Sequence, residues 1–261
     1  MINDIKRGPL ANALALHDFK KPDVNWKEWF SCIERWFHKG GVIPNRISGT
    51  AGKTIKFENG KKRLEKEFFK SLERDGVWII ATPPEVGTEM FDFIFAVDLH
   101  NEPNGNQTLV LCWDDQIIKF DRCYIENLAK DLYAFFEPSY GYGYQRLFKL
   151  GPSFYPFGVI SGLDYGEPER KQIGKWGNEY SYEDGDYKTG MLRDIYPINF
   201  LSQAHFLQQV EGQPLNVWIE STPGHGELKQ LTDNLWSWWV PEDKIESIRK
   251  IFIPIGLLLS Y

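Results

Sequence analysis

The chain is expected to fold as an α+β protein, a mostly antiparallel sheet or sheets packed by amphipathic helices. Three observations predict this. Apolar strand-like runs come in hairpin pairs, 91–99 with 108–113 and 227–231 with 235–240. Helical stripes are interspersed irregularly, without the βαβ rhythm of a parallel sheet. The 261 residues are 42% apolar and 15% aromatic, with 10 tryptophans, which is enough to fill a large core and too apolar for disorder.

The elements follow in order. Residues 10–16 form a short apolar stretch, too brief for a secretory signal and poorly preceded by Asp4. Over 25–39, Trp26, Trp29, Phe30, Ile33, Trp36 and Phe37 recur at helical spacing, and Gly40-Gly41 ends the helix. A stripe this wide needs a sheet beneath it. Residues 53–57 suit a short strand. Asn59 is placed to cap a helix running to 74 with Leu64, Phe68 and Leu72 on one face, stopped by Asp75-Gly76. Residues 77–82 are a strand broken by Pro83-Pro84. In 91–99, Phe91, Phe93, Phe95, Val97 and Leu99 alternate with Asp92, Ile94, Ala96 and Asp98. With 108–113 across a loop at Asn104-Gly105, this predicts a hairpin with one face buried.

Asp121 caps a second long helix, to 136, with Ile125, Leu128, Ala129, Leu132, Phe135 and Phe136 inward and Pro138 ending it. Glycine and proline make 142–148 and 157–161 irregular strands. Residues 166–180 are partly helical, and short helices are expected at 201–210 and 214–219. The last hairpin turns at Asp233-Asn234. Pro241 then starts a helix with Ile245, Ile248, Phe252 and Ile255 inward, closed by Gly256, and 257–259 returns as a strand. The order suits one domain over 1–261, or two intimately packed halves meeting near Pro138.

The formal net charge is -6, so phosphate neutralisation, and with it nucleic acid, is disfavoured and a basic partner is favoured. Cys32, Cys112 and Cys123 match neither a disulfide framework nor a zinc site, and read as small buried hydrophobes in a reducing compartment. No apolar run approaches a membrane span. Cytoplasmic residence is expected, with no cofactor and no metal.

Catalytic patterns are weak. No two of the five histidines are at helical ligand spacing, and His225 sits in a turn composition. Residues 49–54, GTAGKT, lack the spacing of a phosphate-binding loop. Asp92, Asp98, Asp114 and Asp115 could hold a divalent ion between two strands, as in a metal-dependent hydrolase. The lysine and basic cleft that such a nuclease needs are missing, and a solvated strand face explains them more simply. Arg193-Asp194 reads as a buried pair pinning its loop to the body.

The region 139–200 carries the most information. Tyr140, Tyr142, Tyr144, Phe148, Phe154, Tyr155 and Phe157 crowd among glycines and prolines. An acidic, tyrosine-rich stretch follows, with Glu179, Tyr180, Tyr182, Glu183, Asp184, Asp186 and Tyr187 and no base among them. Tyrosine beside carboxylate suits a surface that grips a basic protein, and a solvated acidic loop is the plainer alternative.

Three segments, GP-x-x-Y at 151–155, LRD-x-YP-x-NFL at 192–201 and LW-x-W-x-VP at 235–241, resemble the cytoplasmic immunity proteins encoded beside polymorphic or type VI-delivered bacterial toxins. The likeness spans roughly residues 75–260 and these motifs carry no catalytic chemistry. It implies a non-catalytic protein that binds and neutralises a cognate toxin domain, often a nuclease with a basic cleft. Composition, not the resemblance, then makes Tyr180, Tyr182 and Tyr187 the anchors and Glu183, Asp184 and Asp186 the steering charges, beside Glu179. Two alternatives are a structural or phage-derived accessory protein that self-assembles, and the metal-dependent hydrolase.

Overall fold

The computed structural model describes residues 9–21, 24–49, 54–64, 76–82, 93–101, 106–160, 166–181 and 185–261. The predicted helix beyond Leu64, the Asn104-Gly105 loop, most of the GTAGKT stretch and Asp92 lie outside them.

The apolar stretch near the N-terminus is the centre of the sheet. β1 (Leu10–Phe19) lies between β6 (Gln107–Asp114) and β7 (Pro138–Leu147), antiparallel to both. Both its faces are buried, so it lacks the polar alternation that marks a half-exposed strand. Its register with β7 is written in side-chain size. Ala13, Ala15 and His17 sit opposite Tyr144, Tyr142 and Tyr140, whereas Leu14 and Leu16 sit opposite Gly143 and Gly141. Large meets small at each step, and a one-residue slip would set tyrosine against leucine. The glycines also admit close neighbours. A Cβ at Gly141 would stand 2.6 Å from the Ala15 carbonyl oxygen, and one at Gly143 would stand 3.3 Å from Ile125.

On one face lie α1 (Trp26–Lys39), capped by Asn25, α2 (Phe57–Leu64) and α3 (Arg122–Phe136), whose cap Asp121 accepts from the Tyr124 N–H at 2.7 Å. Trp29, Ile33, Trp36 and Phe37 of α1 and Ile125, Ala129, Leu132 and Phe136 of α3 bury against Phe95, Leu111 and Trp113 of the sheet. On the other face lie α4 (Glu167–Ser181), α5 (Leu215–Glu220) and α6 (Glu242–Phe252), with Trp176, Trp218, Ile248 and Phe252 in a second core. The remaining strands are β2 (Arg46–Gly49), β3 (Ile55–Lys56), β4 (Val77–Ala81), β5 (Phe95–Asn101), β8 (Ile198–Leu201), β11 (Glu227–Thr232) and β12 (Leu235–Trp239). Together they form one ten-stranded antiparallel sheet, ordered β11-β12-β8-β7-β1-β6-β5-β4-β2-β3. A separate two-stranded ribbon joins β9 (Gln209–Val210) and β10 (Gln213–Pro214). The α+β class is as predicted.

Several local expectations are corrected. Asn59 is inside α2, because the helix starts directly after β3 with buried Phe57 bonded to the Asn45 carbonyl. The β5–β6 hairpin begins at Phe95 and is buried on both faces along most of its length, because helices cover each side of the sheet. The Gly-Tyr alternation makes β7 a regular strand, whereas 157–161 forms none: Tyr155–Phe157 is a 3-10 turn. Leu201 ends β8 and a 3-10 turn, Gln203–Leu207, follows where a helix was expected. The chain end makes a single parallel bridge, Leu192 to Leu258, and Ile255 is exposed. Of the cysteines, Cys112 is buried, Cys32 half-buried and Cys123 exposed, since Cys123 sits in the first turn of α3 off its apolar stripe.

Candidate functional site

The tyrosines of β7 point into the second core, and each hydroxyl is spoken for. Tyr140 accepts from the backbone N–H of Arg193 at 2.8 Å, Tyr142 accepts from Arg193 Nη1 at 2.7 Å, and Tyr144 donates to the Pro152 carbonyl at 2.5 Å. Tyr142 stacks on Tyr196 with ring centroids 4.2 Å apart, and the Tyr196 and Tyr155 hydroxyls are 3.0 Å apart. Burial holds Tyr140, Tyr142, Tyr144 and Tyr196 well above the usual phenol range, so they are neutral hydrogen-bonding groups.

Arg193 is 1% exposed and makes no ion pair among the described residues. Its Nη1 also donates to the Tyr155 carbonyl at 2.8 Å, and its guanidinium lies 3.8 Å from the Tyr155 ring centre and 5.0 Å from that of Trp176. The expected Arg193–Asp194 pair is therefore divided. Asp194 takes Arg249 as its partner in a two-point bond, 2.8 and 2.7 Å, and accepts from the Ile195 N–H. The pinning role stands with different partners. The chain bends at Arg193, and the two neighbouring side chains reach different partners. Arg193 anchors the loop to β7 and Asp194 anchors it to α6.

The histidines are structural in their contacts. His17 shares a hydrogen bond with Thr108 (2.8 Å), which meets the Tyr180 hydroxyl at 2.9 Å; burial, with the charge of Arg193 added, pushes His17 down to about 3. His205 accepts from the Ser202 N–H and is pushed down by burial to about 4. His225 stacks on Trp218 at 3.5 Å. Among the hydrolase candidates, Asp98 is half-buried on β5 and pushed up by burial to about 7. Asp114 caps the Gln116 N–H, and Asp115 binds Lys119, Asn12 and the Phe120 N–H. Among the described residues no group of three or more potential ligands converges on a metal position.

The acidic stretch is only partly on the surface. Tyr180 and Tyr187 are 3% and 1% exposed and stack with each other beside Trp176. They are core residues, not the exposed anchors expected, because α4 carries Tyr180 on its buried side and a 3-10 turn, Asp186–Thr189, folds Tyr187 under it. Glu179 accepts from the Asp186 N–H, and Asp186 is exposed. Tyr182, Glu183 and Asp184 lie outside the described residues.

A surface cleft of about 510 Å³ opens where β7, the 194–197 loop and α6 meet. Tyr155, Tyr196, Trp239, Ile245, Glu242 and Glu246 are among its walls. All three sequence segments singled out above converge around it. The 151–155 segment supplies Tyr155, the 192–201 segment supplies Asp194 to Pro197, and the 235–241 segment supplies Trp239 and Val240. Sequence reasoning did not assign this cleft. Its legible traces in the sequence are the three segments themselves; the exposed Glu242/Glu246 pair of the last helix was passed over.

The fold has a solved counterpart. The Pseudomonas aeruginosa T6SS protein PA0821 superposes with a TM-score of 0.58 at 14% identity, over 96% of this chain and 73% of that one. At that identity the likeness is one of fold. No family model and no curated protein sequence matches the chain. No helix among the described residues is long and apolar enough to cross a membrane.

Proposed function

We propose that the chain is an immunity protein of a type VI-delivered toxin, acting in the cytoplasm of the producing cell by binding the toxin domain. The observation that carries the reading is the fold shared over 96% of the chain with a T6SS protein. The three immunity-type segments add to it, because they meet around one surface cleft. The tyrosines of β7, His17, His205 and Arg193 are buried and engaged with one another or with the backbone, which suits a binding scaffold better than a reaction centre. With a net charge of -6, a basic toxin such as a nuclease is the partner that electrostatics favours.

The test is co-expression with the protein encoded by the adjacent gene. A stoichiometric complex that weakens with salt, together with rescue of cells from that protein's toxicity, is the expected result. Absence of both complex and rescue would remove the reading. A defined homo-oligomer in their place would favour the self-assembling alternative.

A further inference from the structure

We infer that the cleft beside α6 receives a basic side chain, lysine or arginine, from the bound toxin. This rests on the immunity reading and names the surface that serves it. The argument begins with the charges that are already used. Arg249 is held by both oxygens of Asp194 and reaches the Ile195 carbonyl at 3.3 Å. Arg146 donates to Glu169 at 2.7 Å and to the Leu150 carbonyl at 3.1 Å, and lies 4.3 Å from the Tyr155 ring centre. Both cations of the lining therefore have their counter-charges, and neither is left to attract an anion.

The acids are not balanced in the same way. Glu242 is exposed and makes no ion pair among the described residues, and Glu246, with its side chain 67% exposed, has only a 3.6 Å contact with Arg249 Nη1. They are one helical turn apart on α6 and so project side by side. Glu242 sits in the first turn of the helix, where the backbone dipole favours a carboxylate. The residual charge of the cleft is thus negative, and its walls are the ring of Trp239, the Tyr155–Tyr196 hydroxyl pair and Ile245. An apolar stem with a cationic head fits such a site, since the stem lies on ring and aliphatic carbon while the head meets the carboxylates. The protein uses the same chemistry internally, where Arg193 and Arg146 both lie over the Tyr155 ring.

The experiment measures affinity for the toxin domain at low and high salt for the wild type, for E242K/E246K and for E58K. Glu58 is exposed on α2, across the sheet, and serves as the control. The expected result is a loss of roughly tenfold or more for E242K/E246K at low salt, a smaller loss at high salt, and no change for E58K. A toxin Lys or Arg changed to Glu should restore affinity to E242K/E246K only. Equal binding by all three proteins would overturn the cleft assignment and leave the immunity reading in place. No binding by the wild type would overturn both. Sedimentation of the chain alone adds a further check: a dimer dissolved by E242K/E246K would show that a second copy, not a toxin side chain, fills the cleft.

Discussion

The two faces of the central sheet are packed by different chemistry. Toward α1 and α3 the core is hydrocarbon and indole, with Trp29, Phe37, Phe95, Trp113 and Leu132, and the described buried residues include no tyrosine. Toward α4 and α6 the core holds Tyr140, Tyr142, Tyr144, Tyr180, Tyr187 and Tyr196, with His17, His205 and Arg193 among them. An apolar core is held by area and shape, and tolerates swaps of similar volume. A polar core holds only while each buried group keeps its partner, because an orphaned group costs its full desolvation. The three segments that mark the chain feed this face through Tyr155, Arg193, Tyr196 and Trp238, although Phe200 and Leu235 within them pack on the other one. Such a face is sensitive to single changes and fixes the loops around the cleft in one arrangement.

The sharpest test of this contrast is Arg193→Ala. It leaves Tyr142 Oη and the Tyr155 carbonyl without their shared donor, and a loss of about 3–5 kcal/mol is expected by urea denaturation, or outright failure to fold. A mild or absent effect would mean the polar face is not the more fragile one. Next come matched conservative swaps. Tyr142→Phe should cost about 1–3 kcal/mol, whereas Leu132→Met across the sheet should cost under about 1.5 kcal/mol. Reversal of that order would break the comparison.

The pH dependence of the polar face has two opposing parts. His17 and His205 titrate normally when unfolded but at about 3 and about 4 when folded, so the unfolded state binds more protons and stability falls as pH drops below about 6.5. Asp98 works oppositely. Its folded value of about 7 lies above the ordinary value near 4, so its contribution is full below about 4 and is lost as pH rises to about 7. Asp98→Asn should therefore stabilise the protein more at pH 8 than at pH 5, as read by denaturant midpoints at both. An equal change at both values would mean Asp98 ionises normally. The smallest stability effect is expected from Glu183, Asp184 and Asp186 changed together to Lys, within about 0.5 kcal/mol of wild type. Their effect on toxin binding, set beside that of E242K/E246K, ranks the acidic stretch against the cleft.

The Asp121 cap, the helical stripes and the hairpins were the most legible elements. Asp121, the α1 stripe and the two hairpins involve neighbours in sequence, so their signals survive without tertiary context. The site was less legible. Tyr180 and Tyr187 read as surface anchors because tyrosine serves an interface and an interior equally well, and only the packing of α4 over β7 separates the two. The cleft draws on residues about a hundred positions apart, Tyr144 to Arg249, and no local pattern joins them.

By itself the sequence determined the class, the antiparallel pairing by hairpins, the amphipathic helices and the acidic balance, all of which follow from periodicity and composition. Only the tertiary structure decided that β1 is the centre of the sheet, that the tyrosines of β7 are interior, and that Arg193 and Asp194 part company. Those outcomes depend on what lies across each strand, and a strand covered on both faces carries no polar–apolar alternation from which its exposed side can be read.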